Sequence, residues 1–182
     1  MDWLISLDGT VLVWIQDCVR NPALTGFFTA VTTLGNAGII WIFLTVLLLA
    51  QKKTRRIGWM CLLALAGSLV INNMILKNLV ARPRPYEMVE GLMPLIARPS
   101  DYSFPSGHTG SSFAAAAVLY GQLPKKWGIA ALVLAVLMGI SRLYLGVHYP
   151  SDVLAGALIG SVIGLAVQRL ANMKTKVREK GQ

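Results

Sequence analysis

Residues 127–171 read WGIAALVLAVLMGISRLYLGVHYPSDVLAGALIGSVIGLAVQRLA, two apolar runs with a short polar segment between them. Each run, Trp127 to Gly146 and Pro150 to Ala171, has the length of about 20 residues that an α-helix needs to cross the hydrocarbon core of a bilayer. The apolar residues are continuous and do not alternate with polar ones, as they would in a half-buried strand. The stretch therefore predicts two transmembrane helices joined by a short loop.

The remainder of the chain follows the same pattern. Of its 182 residues, 55% are hydrophobic and 14% are charged, whereas an average soluble domain has roughly 25% charged residues. Three more runs reach the length of a span: about Ala30 to Ala50, Ile57 to Val80, and Phe104 to Gln122. The sequence therefore predicts an all-α, polytopic membrane helical bundle of five or six transmembrane helices, which occupies residues 1–182 as a single domain.

The N-terminal segment differs from these runs. Residues 1–21 are apolar, but Asp8, Asp17 and Arg20 interrupt them. Such a pattern is typical of an amphipathic helix that lies in the membrane interface. We predict an interfacial helix here, with a sixth span as the alternative.

The basic residues predict the orientation of the bundle. The net charge is +9, but the lysines and arginines are divided among loops instead of forming one stripe, which argues against a nucleic-acid partner. Five spans place three basic regions on one side of the membrane, residues 51–56, residues 123–128 and the tail from Arg169. Because short cytoplasmic loops are enriched in Lys and Arg, we predict a multi-pass protein of the plasma membrane with a cytoplasmic C-terminus.

The unusual polar residues fall at the opposite, extracytoplasmic ends of the spans. Lys77, His108, Arg142 and His148 all lie at or just beyond a span end on that side. An ionisable group close to the hydrocarbon is costly, and by default it marks a functional site. We therefore predict that a site faces the extracytoplasmic side.

Small residues in the last span predict close packing. Gly156, Gly160 and Gly164 recur every four residues, so they lie along one face of the helix. Small residues at this spacing allow two membrane helices to approach closely.

A cluster of cations predicts an anionic ligand. Lys77, Arg84 and Arg142, with Arg82 as a possible fourth, would repel one another at one membrane face unless a polyanion lay between them. The planar fork of arginine suits phosphate oxygens, so the expected ligand is a phosphate. The alternative is that these side chains extend to the lipid headgroups.

The segment SFPSGHTGSS, residues 103–112, has the features of a helix start. Pro105 suits the first turn, Ser103 or Ser106 can cap it, and Gly107 allows a ligand to approach the backbone. Free amides at a helix N-terminus bind anions, which would place phosphate oxygens beside His108. The alternative is a capped helix with an incidental histidine.

His148 and Asp152 stand four residues apart around the start of the last span. A carboxylate that binds one imidazole nitrogen fixes the tautomer and leaves the other nitrogen as a nucleophile. Asp152 would then stabilise the cationic imidazole, as the third member of a catalytic triad does. The alternative is that Asp152 caps the helix and His148 fills an interface. Because this pair, the helix start and the cations share one face, we favour a reaction centre.

These three motifs resemble the signatures of the type 2 phosphatidic acid phosphatase superfamily. The matching residues are, in chain order, Lys77, Arg84 and Pro85, then Pro105 to His108, then Ser141, Arg142, His148 and Asp152. They run over close to half of the chain, and no signature position departs from the family pattern.

The resemblance implies a metal-independent lipid phosphatase that works through a phosphohistidine intermediate and needs no cofactor. His148 would be the nucleophile, Asp152 its orienting carboxylate, and His108 the acid that protonates the leaving oxygen. The phosphate would be held by Lys77, Arg84, Ser106, Gly107 and Arg142.

The resemblance to small bacterial members makes undecaprenyl diphosphate the leading substrate. Phosphatidylglycerol phosphate and phosphatidic acid are the alternatives. The loop from Arg84 to Asp101, which mixes apolar residues with acidic ones, is expected to guide the lipid toward the site.

Two other classes of protein remain open from the residues alone. A metal-dependent hydrolase could use His108, His148 and Asp152 as ligands. A carrier or transporter could use the basic pocket for binding without catalysis. Neither explains why a nucleophile, an acid and a phosphate clamp occur together.

Overall fold

The computed structural model describes residues 2–180 and the side chains of residues 6–173. Within these residues the chain forms nine α-helices and no strand, as the sequence predicts. Short π-helical segments follow α1 (Ile15–Val19) and α4 (Leu69–Leu76), and a 3₁₀ turn (Asn36–Gly38) separates α2 from α3. The helices are α1 Asp2–Trp14, α2 Pro22–Gly35, α3 Ile39–Ala50, α4 Arg55–Ser68, α5 Lys77–Val80, α6 Pro85–Met88, α7 Gly107–Gln122, α8 Lys125–Tyr144 and α9 Pro150–Lys180.

Among the described residues, four helical stretches are long and apolar enough to cross a membrane. They are Pro22–Ala50, Arg55–Met88, Lys125–Tyr144 and Pro150–Met173. The predicted run from Phe104 to Gln122 forms only the 16 residues of α7, about 24 Å at 1.5 Å per residue, which is shorter than the hydrocarbon core. Because α7 lies at the centre of the bundle, its neighbours and not lipid cover it.

The first of these stretches corrects a predicted boundary. The span expected from about Ala30 begins at Pro22, where the Asn21 side chain accepts a hydrogen bond from the Leu24 amide at 3.0 Å. It is also kinked, because Ala37 and Gly38 adopt positive φ angles of 50° and 71°. The threonines and glycines of α2 lower its apolarity, which hides the helix from a search for apolar runs.

Helix α1 packs over the loop end of the bundle. Leu12 is buried against Leu92 and Tyr149, and Arg20, just beyond the helix, donates hydrogen bonds to the Tyr144 and Met93 carbonyls. Both ends of the segment therefore meet loops on the same side. This placement favours the interfacial helix over a sixth span.

The glycine face of α9 packs directly on α7, which confirms the packing prediction. A methyl group added at Gly160 would lie 2.2 Å from the Gly110 carbonyl oxygen, and one added at Gly164 would lie 2.5 Å from the Ala114 carbonyl oxygen. No side chain larger than hydrogen fits at these positions without moving the backbone of α7. This contact holds the start of α9 beside the start of α7.

The basic loop at 51–56 and the loops that carry site residues lie at opposite ends of the bundle. Arg56, at the start of α4, donates hydrogen bonds of 3.1 Å to Ala171 and Asn172, so the basic loop at 51–56 lies beside the end of α9. Segments 81–106 and 145–149 lie at the other end. The predicted tail cations Lys174, Lys176, Arg178 and Lys180 lie outside the described side chains.

Candidate active site

A cavity of about 570 Å³ opens at the loop end of the bundle. It joins a polar end to an apolar end, and both ends are built by residues far apart in sequence. The polar end is lined by Asn73, Lys77, Arg84, Asp101, Gly107, His108, Arg142 and His148. The apolar end lies between α3 and α4 and is lined by Ile42, Val46, Leu49, Leu62, Leu65, Ala66 and Leu69. The predicted cations Lys77, Arg84 and Arg142 thus meet both histidines at one wall.

His148 presents one nitrogen to the cavity wall and the other to a carboxylate. Its Nε2 lies 3.0 Å from Nη1 of Arg84, and its Nδ1 lies 3.4 Å from Oδ2 of Asp152. Because a guanidinium can only donate, Nε2 must carry the lone pair, and the ring proton sits on Nδ1 facing Asp152. The distance of 3.4 Å between Nδ1 and Oδ2 lies outside good hydrogen-bonding geometry, so the carboxylate faces the ring without a well-formed hydrogen bond.

The surroundings of His148 keep its ring neutral. Burial lowers the pKa of His148 to about 3; Asp152 opposes this change, while the charges of Arg84 and Arg142 add to it. A histidine with a lowered pKa is neutral at every pH well above that value. The lone pair on Nε2 is therefore present at neutral pH.

The carboxylate of Asp152 is fully buried and held by three donors. Its Oδ2 accepts hydrogen bonds from the Ser103 hydroxyl at 2.5 Å and the Tyr149 amide at 2.9 Å, and its Oδ1 accepts one from Arg82 at 2.7 Å. The sequence left open whether Asp152 caps the helix or orients His148. In the structure, Asp152 accepts a hydrogen bond from the Tyr149 amide at the start of α9 and also faces Nδ1 of His148.

Arg82 does not join the cations in the cavity, contrary to the expectation of a fourth phosphate-binding residue. Its Nη2 donates to Asp8 at 2.9 Å and its Nη1 to Asp152 at 2.7 Å. Its guanidinium also lies 3.8 Å from the centre of the Tyr149 ring. Two carboxylates already neutralise Arg82, and Asp8, 74 residues away, could not be assigned to it from the sequence.

Lys77 and Arg84 share a carboxylate that sequence reasoning missed. Asp101 accepts hydrogen bonds from Lys77 and, at 2.5 Å, from Nη2 of Arg84. Burial alone would raise the pKa of Asp101, but the hydrogen bonds and charges of these two cations outweigh it and lower the pKa to about 2. The Asp101 side chain is 52% exposed, so the two cations are covered by an acid that borders solvent.

Arg142 completes the cationic wall. Its Nη1 donates to the Thr32 hydroxyl at 2.5 Å, while its buried Nε has no hydrogen-bond partner among the described residues. A buried donor without a partner is costly, and the Arg142 side chain lines the cavity.

His108 lies on the cavity wall at the start of α7. Its Nε2 is 3.1 Å from Oδ1 of Asn36, in the turn between α2 and α3. Gly107 also lines the cavity, and a methyl group there would lie 2.6 Å from the Asn73 side chain. A larger residue here would have to displace the Asn73 side chain.

Ser106 has a different position from the one expected of a phosphate ligand. Its hydroxyl is buried and caps α7, accepting hydrogen bonds from the Thr109 amide at 3.4 Å and the Thr109 hydroxyl at 2.9 Å. Ser106 is not among the described residues that line the cavity. It builds the helix start that presents Gly107 and His108.

The alternative of a metal-dependent hydrolase requires His108, His148 and Asp152 to be arranged as metal ligands, and they are not. Among the side chains of residues 6–173, no three from His, Cys, Asp or Glu form a group that could hold a metal ion. Both oxygens of Asp152 are taken by Arg82, Ser103 and Tyr149, and Nε2 of His148 faces a guanidinium. The side chains of His108, His148 and Asp152 therefore do not form a facial set of ligands.

Comparison with known proteins gives matches over most of the chain. A model of the PAP2 superfamily matches residues 57–176. An undecaprenyl-diphosphatase from Sulfolobus acidocaldarius is 40% identical over 130 residues, which cover 71% of this chain and 63% of that relative's length. A decaprenylphosphoryl-5-phosphoribose phosphatase from Mycobacterium tuberculosis is 33% identical over 176 residues, which cover 93% of this chain and 94% of that protein.

The fold is also similar to that of a solved membrane protein. The crystal structure of a transmembrane PAP2-type phosphatidylglycerolphosphate phosphatase from Bacillus subtilis superimposes with a TM-score of 0.80 at 31% identity. The superposition covers 95% of this chain and 88% of that one.

Proposed function

Since this chain belongs to the PAP2 superfamily of membrane lipid phosphatases, we propose that it hydrolyses a lipid phosphate or diphosphate through a phosphohistidine intermediate. The observation that carries the proposal is the shape of the cavity. Its polar end holds three cations and two histidines, and it continues without interruption into the apolar groove between α3 and α4. A ligand that fits both ends has a phosphate head and a hydrocarbon tail.

In the first step, the phosphate displaces Asp101 and lies between Lys77, Arg84 and Arg142. The lone pair on Nε2 of His148 attacks phosphorus, and the P–O bond to the leaving group breaks. The bound phosphate places negative charge beside His108 and so favours the protonated ring. The imidazolium of His108 gives its proton to the leaving oxygen, so a lipid alcohol or a lipid monophosphate departs. The enzyme is left with phosphate bonded to His148.

In the second step, His108 takes a proton from a water molecule, which attacks phosphorus. The P–N bond breaks, the electron pair returns to His148, and inorganic phosphate leaves. Phosphoryl transfer depends mainly on position and on charge stabilisation over the equatorial oxygens. The guanidinium and ammonium groups provide that charge.

Undecaprenyl diphosphate is the leading substrate. The apolar end of the cavity is lined by aliphatic side chains of α3 and α4, which suit a polyprenyl chain. Similarity to a relative described as an undecaprenyl-diphosphatase supports this choice. The likeness to a phosphatidylglycerolphosphate phosphatase favours a second candidate, a glycerophospholipid phosphate such as phosphatidylglycerol phosphate or phosphatidic acid.

The proposal also includes the orientation of the protein in the membrane. The basic loop at 51–56 and the end of α9 lie at the end of the bundle opposite the polar end of the cavity. If the basic end is cytoplasmic, the enzyme acts on lipids of the outer leaflet of the plasma membrane.

Phosphate release by the purified protein in detergent with EDTA tests the proposal. The substrates are undecaprenyl diphosphate, phosphatidylglycerol phosphate and phosphatidic acid. We expect the fastest turnover with undecaprenyl diphosphate. Faster turnover of a glycerophospholipid phosphate would reverse the ranking, and no release from any of these lipids would favour a carrier or transporter.

Replacing Asp101 by asparagine is expected to tighten phosphate binding. The carboxylate competes with phosphate for Lys77 and Arg84, and a neutral amide competes less. Because Asp101 is half exposed and its ion pairs are screened, the inhibition constant for inorganic phosphate should fall by roughly two- to fivefold. Competition assays with undecaprenyl diphosphate measure this constant.

The pH dependence of this effect follows from the lowered pKa of Asp101. A carboxyl group with a pKa of about 2 stays charged above that value, so the ratio of the two inhibition constants should be the same from about pH 5 to pH 8. A higher constant in the variant would contradict competition and would mean that Asp101 orders the two cations for phosphate.

A further inference from the structure

We propose that Asp8, on helix α1, is a positioning residue of the reaction. It acts through Arg82 to hold Asp152, and with it His148, in the orientation for attack. This inference rests on the proposed function. It concerns a residue that lies outside the three sequence motifs and outside the matched residues 57–176.

The guanidinium of Arg82 joins two carboxylates in a buried row. Its Nη2 lies 2.9 Å from Oδ2 of Asp8, and its Nη1 lies 2.7 Å from Oδ1 of Asp152. The exposed fractions of the Asp8, Arg82 and Asp152 side chains are 6%, 12% and 0%. Removing three charges from water is costly, and packing of this kind gives weak evidence for stability. A planar fork that binds one carboxylate on each arm does, however, fix their relative positions.

Asp8 also binds the start of α9, where Asp152 lies. Its carboxylate accepts hydrogen bonds from the Ser151 amide at 3.2 Å and from the Ser151 hydroxyl. The same hydroxyl accepts a hydrogen bond of 2.7 Å from Arg82. An acidic group is favourable at a helix N-terminus. Asp8 therefore holds both the first turn of α9 and the guanidinium of Arg82.

Loss of the Asp8 charge would strengthen the attraction between Arg82 and Asp152. Arg82 would keep one carboxylate partner instead of two, so its guanidinium would be drawn toward Asp152. The contact between Asp152 and Nδ1 of His148 is already 3.4 Å, and a carboxylate drawn further toward Arg82 would orient the imidazole less well. The phosphate-binding cations lie on the other side of His148 and would be unaffected.

The packing of α1 does not depend on this charge. Leu12, one turn after Asp8, is buried with Leu92 and Tyr149. Arg20 and Gln16 bind the loop at 91–93. A neutral residue at position 8 should therefore leave α1 in place.

The test is Asp8→Asn in the full-length protein, with undecaprenyl diphosphate as substrate. We expect kcat to fall on the order of tenfold, a typical coupling within one polar network. KM and the inhibition constant for inorganic phosphate should stay within about twofold. The matched control is Asp17→Asn, an exposed acid on the same segment, which should leave kcat unchanged.

A double variant tests whether Asp8 acts through Arg82. If it does, Asp8→Asn combined with Arg82→Gln should be no slower than the slower single variant. Losses that multiply would overturn the coupling, because they would mean that the two residues act independently.

The outcomes separate the two proposals. A wild-type protein without phosphatase activity on any of the lipids contradicts the proposed function. An active wild type together with an Asp8→Asn variant of equal kcat overturns the role of Asp8 alone. If Asp8→Asn does not fold, as judged by thermal unfolding in detergent, Arg82→Gln takes its place, and wild-type kcat in that variant would also overturn the role.

Discussion

Replacing His148 by alanine is expected to reduce phosphate release by about 10⁴-fold or more, the loss that follows removal of a nucleophile in other enzymes. The ring is buried, and its Nε2 lone pair faces the cations that would hold the phosphate. No other imidazole can replace it, because the chain contains two histidines and the second, His108, is assigned to proton transfer. The measurement is phosphate release from undecaprenyl diphosphate with EDTA present.

The matched control for this variant is the other histidine. His108→Ala removes an acid and not a nucleophile, so it should lose activity on lipids whose leaving oxygen needs a proton. It should retain much more activity on an aryl phosphate with a good leaving group, because such a leaving group departs as an anion. His148→Ala should be inactive on both substrates.

Two results would contradict the role of His148. Activity of His148→Ala close to that of the wild type would exclude a phosphohistidine at this position. Loss of wild-type activity in EDTA with recovery on addition of a divalent metal would favour a metal-dependent reaction. Covalent phosphate retained after alkaline denaturation of the wild type, and not of His148→Ala, would support the intermediate directly.

Much of the fold can be predicted from apolar runs, because a membrane helix must satisfy its backbone hydrogen bonds internally over a fixed thickness. The runs around α4, α8 and α9 are apolar throughout and were predicted. The start of α2 is not visible to this criterion, because its threonines and glycines lower its apolarity. The short length of α7 is not visible either, because neighbouring helices cover this helix where lipid otherwise would. The kink at Asn36–Gly38 has a local signal in its glycines, but its angle is set by packing.

The site could be predicted in part for a topological reason. Helices that alternate across a membrane return every second loop to the same side, so Lys77, Arg84, His108, Arg142 and His148 had to share one face. Their meeting at one cavity wall follows from that alternation and from the small residues between α7 and α9.

The partners of these residues could not be predicted. Asp8, Thr32, Asn36 and Asp101 contact the site from separate segments, and a single acid or amide in a loop has no periodic pattern. Arg82 illustrates the limit, because its neighbour Arg84 enters the cavity while Arg82 binds two carboxylates outside it. Sequence spacing does not distinguish two arginines that differ only in where their counter-charges lie.

Replacing Asp152 by asparagine is expected to lower kcat by about 10³- to 10⁴-fold, as the loss of a triad carboxylate does elsewhere. Every group that faces this carboxylate is a donor: Arg82 at Oδ1, and the Ser103 hydroxyl, the Tyr149 amide and Nδ1 of His148 at Oδ2. An amide has one acceptor oxygen and one NH₂ group with two donor hydrogens, so on one side of the substituted side chain the NH₂ must face other donors. Steady-state rates with undecaprenyl diphosphate measure the loss.

The direction of the amide decides the chemistry at His148. Three donors meet Oδ2 and one meets Oδ1, but the single donor at Oδ1 is a guanidinium, whose charge makes an opposing NH₂ costly. If the NH₂ therefore faces His148, it opposes the proton on Nδ1. Moving that proton to Nε2 would remove the lone pair from the attacking nitrogen and set Nε2–H against the Arg84 guanidinium 3.0 Å away, so neither tautomer suits attack. Inhibition by inorganic phosphate should be unchanged within about twofold, because Lys77, Arg84 and Arg142 are untouched.

Ser103→Ala is the matched control, since it removes one donor and keeps the carboxylate. It should lower kcat by only about three- to tenfold. Equal losses in the two variants would show that burial of a polar group, and not the tautomer of His148, sets the rate.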